Sequence, residues 1–105
     1  MKPWKLQELT QKVIREQKYQ LAILPIGSTE AHGMHVPYGS DAFHSAAIGE
    51  RICERAWEKN AHAVLLPTLP YGVQGNTLGF PMTINVRQAT LDATVMEIIH
   101  SLEFQ

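Results

Sequence analysis

Two short apolar runs, Leu21-Ala22-Ile23-Leu24-Pro25-Ile26 and Ala61 to Leu66, bracket a loop and one long amphipathic stretch, and no other feature constrains the fold as much. Each run is too short to carry a helical stripe of its own and reads as a buried strand. Gly27 to Ser40 is dense in Gly, Pro, Ser and His, the composition of a loop. Ser40 or Asp41 then serves as N-cap for a helix running to about Lys59, with Asn60 at its end. The inward face of that helix is expected to carry Phe43, Ala47, Ile48, Ile52, Ala56 and Trp57, with Glu50, Arg51, Glu54, Arg55 and Glu58 in water. Strand, loop, helix, strand is a βαβ unit, which calls for parallel strands and a right-handed crossover.

On either side the pattern is simpler. Leu6, Leu9, Val13 and Ile14 predict a helix from Leu6 to about Glu16. Pro67 to Pro81 is a second loop, Thr83 to Val86 a short extended segment, and Leu91, Val95, Ile98, Ile99 and Leu102 mark a last helix from about Gln88 to Leu102. No linker or structural repeat interrupts the chain, so residues 1–105 are expected to form a single α/β domain. Two parallel strands are few for a stable open sheet, whose faces both need cover. The sheet is therefore expected to be incomplete here, the chain being a fragment, a truncated product, or one completed by another chain.

Composition excludes little but excludes it clearly. With 45% apolar residues, 18% charged and a formal net charge of −1, there is no electrostatic case for nucleic acid or an anionic membrane surface. No apolar run approaches a membrane span, and the polar Met1-Lys2-Pro3-Trp4-Lys5 start does not read as a signal peptide. Cys53 is the only cysteine, so no intrachain disulfide forms; a packing role in a reducing compartment is expected. The expected location is the cytoplasm.

Chemistry concentrates in the loop after the first strand, Gly27-Ser28-Thr29-Glu30-Ala31-His32-Gly33-Met34-His35-Val36-Pro37-Tyr38-Gly39-Ser40-Asp41. Glu30, His32, His35 and Asp41 lie together at the carboxyl end of a parallel strand, where open α/β sheets place their sites. Imidazole with carboxylate suits Zn²⁺, Mn²⁺ or Fe²⁺, and the lack of sulfur ligands argues against a closed structural zinc site. Glu30 and His32, two apart, leave the same face of an extended segment. Asp41 at a helix N-terminus sits where negative charge is favoured, and its two oxygens can bridge two cations. Spacing alone leaves the plainer reading open: Asp41 as a cap only, Glu30 solvated.

The stretch Leu24-Pro25-Ile26-Gly27-Ser28-Thr29-Glu30-Ala31-His32-Gly33, continued by His35, Pro37, Gly39 and Asp41, closely resembles the creatininase (creatinine amidohydrolase) family signature, L-P-x-G-S-x-E-x-H-G-x-H-x-P-x-G-x-D. Leu69-Pro70-Tyr71-Gly72-Val73 and Leu78-Gly79-Phe80-Pro81-Met82-Thr83-Ile84 resemble its P-Y-G-V … G-F-P-G-T-I segment, with Arg87 and Leu91 near its R-P-E-T-L helix start. The resemblance implies a three-layer αβα fold with a mainly parallel sheet, this chain being its N-terminal part. It implies two divalent ions, Zn, Mn or Fe, with Glu30 and His32 as terminal ligands and Asp41 as the bridge. It further implies hydrolysis of a C–N bond in a small cyclic or formyl amide by metal-activated water, in a homo-oligomer that is a hexamer in the family.

Departures from the pattern bear on substrate. Asn76-Thr77 replaces a common Glu-His, Met82 stands where Gly is usual, and Met34 where Pro is common; these positions are expected to line the pocket. His35, Tyr71 and Asn76 are the candidate substrate contacts. The family's later N-G-H-x-x-N ligand segment does not occur in this sequence, so the chain alone is expected to be inactive, or to act only as a metal-binding or structural subunit. Ser28 lacks a nucleophile elbow and is not expected to attack substrate. His44 is expected at the surface or in packing, His62 and His100 in structural roles, and Trp4 and Trp57 as apolar anchors. A phosphate-binding module is disfavoured, since neither G-x-G-x-x-G nor a P-loop is present.

Overall fold

A computed structural model describes residues 2–103. The βαβ unit is there. Strand β1 (Leu21–Ile23) pairs in parallel with β2 (Ala63–Leu65) in the register Leu21↔Ala63, Ala22↔Val64, Ile23↔Leu65. A short helix α1 (Gln11–Glu16) precedes them, α2 (Ser40–Glu58) connects them, and α3 (Gln88–Glu103) follows.

The strands are shorter than the apolar runs for a local reason. Pro25 has no N–H to offer a ladder, so regular pairing stops at Ile23. Beyond it the two segments stay in step through a parallel bridge, Ile26 to Leu69, with Gly27 N–H donating to the Leu69 carbonyl at 2.8 Å. The helix expected from Leu6 to Glu16 is divided as well. A 3-10 turn (Leu6–Glu8) comes first, and Thr10 then caps α1 by accepting from the Val13 N–H.

All three residues of β2 are buried, because it has a neighbour on each side. Leu65 N–H donates to the Trp4 carbonyl at 2.6 Å, and Lys5 bridges Leu65 in parallel, a pairing that the sequence reading did not anticipate. Tyr19 fastens this leading segment by donating to the Pro3 carbonyl at 2.6 Å. Strand β1, expected to be buried, is not: Leu21 is 47% exposed. The helix that covers the sheet lies over β2. The core consists of Cys53, Ala63 and Leu65, with Trp4, Ile23 and Ala56 packed against it. Cys53 and Trp4 thus take the packing roles read from sequence. Trp57 donates its indole N–H to the Ala63 carbonyl and stacks on His62, whose ring nitrogen lies 3.1 Å from the Lys18 carbonyl.

The inward face of α2 differs from expectation. Its buried residues are Ala42, Gly49 and Cys53, while Phe43, Ile48 and Ile52 are exposed. Close approach is the reason. A Cβ on Gly49 would lie 2.6 Å from Leu65 Cδ1 and 3.3 Å from Pro25 Cγ, so only small side chains fit between helix and sheet. Asn60 ends the helix region in a left-handed conformation, φ 61°, as a residue following a helix often does. None of the residues of α3 is buried, and among the described residues no helix is long and apolar enough to cross a membrane. The α/β class read from the strand–helix–strand order is the class observed.

Met82 also has positive φ, 63°, and its side chain is 79% exposed. The backbone itself accounts for glycine's place in the family pattern here. Left-handed geometry costs a residue with a Cβ about 1–2 kcal/mol, partly offset in a glycine variant by about 0.5–1 kcal/mol of extra unfolded-chain entropy. Met82→Gly is expected to raise stability by roughly 0.5–1 kcal/mol. Gly49→Val is expected to lower it by about 1–3 kcal/mol through overpacking against Leu65. Denaturant unfolding of both variants checks the opposite signs.

Candidate metal centre

The chain leaves β1 and turns at once against the first turn of α2. A Cβ on Gly27 would come within 2.7 Å of the Ala42 nitrogen, so this contact is backbone against backbone. Ser45 Oγ, one turn further along α2, donates to the Ile26 carbonyl at 2.9 Å. These contacts bring Ser28, Glu30 and His32 over Asp41.

Asp41 is not a cap. Gly39 holds the N-cap position, with no side-chain capping bond, and Asp41 lies in the first helical turn. There its carboxylate faces the loop, where Oδ2 accepts from Ser28 Oγ at 2.5 Å and lies 3.1 Å from His32 Nε2. Ser28 is only 2% exposed, and its hydroxyl serves to hold Asp41. His32 Nδ1 lies 2.8 Å from the Glu30 carbonyl oxygen, which can only accept, so Nδ1 carries the hydrogen. Nε2 is thereby turned into the space between Asp41 and Glu30, 3.7 Å from Glu30 Oε1.

Glu30 is held from the far side. Thr77 Oγ1 donates to Glu30 Oε2 at 2.7 Å, and the Gln74 amide, with its nitrogen turned toward the carboxylate as two acceptor oxygens require, donates to it as well. The second loop is also tied to the first through its backbone. Ile84 N–H donates to the Thr29 carbonyl at 3.0 Å, Ala31 N–H to Thr83 Oγ1 at 3.1 Å, and Tyr38 Oη to the Pro81 carbonyl at 2.6 Å. The extended segment expected at Thr83–Val86 takes the form of two isolated bridges, at Ile84 and Asn85.

One potential ligand atom from each of Glu30, His32 and Asp41 lies within 4.8 Å of the others. A nitrogen and two carboxylate oxygens, with the imidazole tautomer fixed by a carbonyl, make a donor set that can hold a divalent ion. The electrostatics agree. The His32 pKa is raised above the ordinary 6.5 by the Glu30 carbonyl first, then by the Asp41 and Glu30 carboxylates, against some desolvation. The Asp41 pKa is lowered below 3.8, by the Ser28 hydroxyl first and then by His32.

The remaining candidates are not part of the three-residue cluster. His35 and Tyr71 are exposed, and His35 is outside the three-residue cluster. Asn76 is exposed on a 3-10 turn (Gly75–Thr77), while Gln74 and Thr77 beside it reach Glu30. Sequence reasoning missed Gln74, placed Thr77 at the pocket without its bond to Glu30, and weighed Ser28 only as a nucleophile. Ser28's nearness to Glu30 in the same loop was the one usable signal.

Comparison with known proteins follows the same residues. The creatininase family model, described as creatinine amidohydrolase, matches residues 7–105. The chain is 33% identical over 78 residues to a mycofactocin precursor peptide peptidase of Mycolicibacterium smegmatis, covering 73% of this chain and 32% of that protein. It is 34% identical over 85 residues to the creatinine amidohydrolase of Pseudomonas putida, covering 76% and 31%. The chain thus spans about a third of the length of these curated relatives. Among solved structures it superposes on a creatinine amidohydrolase (creatininase) with a TM-score of 0.82 and 32% identity, over 94% of this chain and 39% of the other. A mutant creatininase of Zn–Zn type gives 0.79 and 31%, over 94% and 40%.

Imidazolium at His32 contributes to the stability of the metal-free fold fully at pH below its ordinary 6.5, and this contribution is lost as pH rises through the higher folded value. A proton NMR titration of metal-free protein is expected to give a His32 midpoint above 6.5, lowered in Asp41→Asn. An unchanged midpoint in that variant counts against the pairing.

Proposed function

This chain belongs to the creatininase family, and from that premise we propose that it forms the metal-holding part of a hydrolase acting on a C–N amide bond. The observation that carries the reading is the convergence of Glu30, His32 and Asp41 ligand atoms within 4.8 Å, with His32 Nε2 directed between the carboxylates. Glu30 and His32 would each hold one of two divalent ions, with Asp41 the residue that would be shared. Zinc is the first candidate, supported by the Zn–Zn form of a related creatininase; manganese and iron suit the same donors. When bound, such an ion supplies Lewis acidity toward a carbonyl oxygen and lowers the pKa of water.

The chain's own residues do the positioning. Ser28 fixes the Asp41 carboxylate, the Glu30 carbonyl fixes the His32 tautomer, and the backbone of Gly27 holds the loop to α2. The substrate is a small cyclic or formyl amide, with His35, Tyr71 and Asn76 at its approach. The names of the two curated relatives, an amidohydrolase and a peptidase, have amide hydrolysis in common. Residues 1–105 act as one unit of a creatininase-like domain in a cytoplasmic homo-oligomer. Exposed apolar side chains such as Phe43, Leu78 and Phe80 are suited to subunit contacts.

Full-length protein purified without chelator is expected to carry zinc, manganese or iron, and to hydrolyse a member of an amide panel. Chelation should abolish turnover and metal return should restore it. Asp41→Ala is expected to lose more metal than His35→Ala, as measured by inductively coupled plasma analysis. Equal metal content in the two variants overturns the shared-ligand role, and metal-free wild-type protein overturns the reading as a whole.

A further inference from the structure

Glu30 is the only member of the cluster whose carboxylate is gripped by residues from the second loop. Its Oε1 faces His32 Nε2 at 3.7 Å, Oε2 accepts from Thr77 Oγ1 at 2.7 Å, and the Gln74 amide nitrogen reaches both oxygens, lying 3.2 Å from Oε1. Neither donor carries charge, so the carboxylate is oriented without being neutralised. A lysine or arginine at either position would instead compete with a cation. The donors are themselves fixed. Gln74 N–H donates to Asn85 Oδ1 at 2.6 Å, Gly72 and Asn85 form a parallel bridge, and Val86 N–H donates to the Gly72 carbonyl at 3.0 Å. The terminal torsion of a glutamate is broad, and long side chains lose rotamer freedom when a partner orders them.

We propose that Gln74 and Thr77 are positioning residues that hold Glu30 in one rotamer, its carboxylate turned toward His32 and the cation position by neutral donors. The inference rests on the metal reading and assigns a role beyond it to two residues outside the ligand set. It implies that metal affinity is set partly by a loop that contributes no ligand.

The test is Zn²⁺ titration of the full-length protein in competition with a chromophoric chelator, paired with visible absorption of the Co²⁺-substituted form. Thr77→Val keeps shape and removes the donor, Thr77→Ser keeps the donor, and Gln74→Leu removes the amide. Thr77→Val and Gln74→Leu are each expected to weaken Zn²⁺ binding by about tenfold or more, with Thr77→Ser within roughly twofold of wild type. The Co²⁺ spectrum should shift in Thr77→Val and be restored in Thr77→Ser. Wild-type affinity and spectrum in Thr77→Val and Gln74→Leu overturn the proposal while leaving the metal reading intact. A loss in Thr77→Ser equal to that in Thr77→Val also overturns it, since packing and not the hydroxyl is then responsible. Wild-type protein without saturable Zn²⁺ binding overturns the metal reading, and the proposal with it.

Discussion

Where the loop after β1 meets the first turn of α2, backbone meets backbone: a methyl group on Gly27 would lie 2.7 Å from the Ala42 nitrogen. The rest of the site depends on this approach. Because the loop turns against the helix without a side chain between them, Ser28 is sealed beneath it and can reach Asp41. Glu30 and His32, further along the same loop, then lie over the helix's first turn. The same economy of space recurs at Gly49, where α2 settles onto Leu65 and Pro25. Two glycines on opposite sides of the contact set the distance between helix and sheet, and the ligand cluster inherits that distance.

Two carboxylates and an imidazole in so small a volume need compensation. Part comes from hydroxyl and amide donors, which hold the oxygens without cancelling their charge. Part comes from His32, which faces both carboxylates and whose pKa is raised by the Glu30 carbonyl first and then by those carboxylates. The N-terminus of α2 adds its partial positive charge beside Asp41. A divalent ion held by the same three groups would displace any proton on Nε2, so its binding would be coupled to proton release.

Much of this was legible in the residues. The order strand, loop, helix, strand was readable because each segment has its own period, and the bounds of α2 and α3 came close to those observed. The clustering of Glu30, His32 and Asp41 was readable because they lie near one another in sequence. The buried face of α2 was not. Periodicity favours the largest apolar residues, Phe43, Ile48 and Ile52, whereas close packing selected Ala42, Gly49 and Cys53. Nor were the donors to Glu30, since Thr77 is 47 residues away and nothing local in Gly75-Asn76-Thr77 announces a partner. The pairing of Trp4 with Leu65 was hidden for the same reason: a backbone carbonyl leaves no mark in composition.

The stitching between the two loops has a dynamic consequence. Thr29, Ala31 and Tyr38 are each bonded to the segment from Pro70 to Ile84, by bonds spread along both loops. Segments cross-linked in this way exchange their amide hydrogens as one cooperative unit and not residue by residue. Loosening one loop therefore means breaking bonds to the other, so the two are expected to share their protection against exchange.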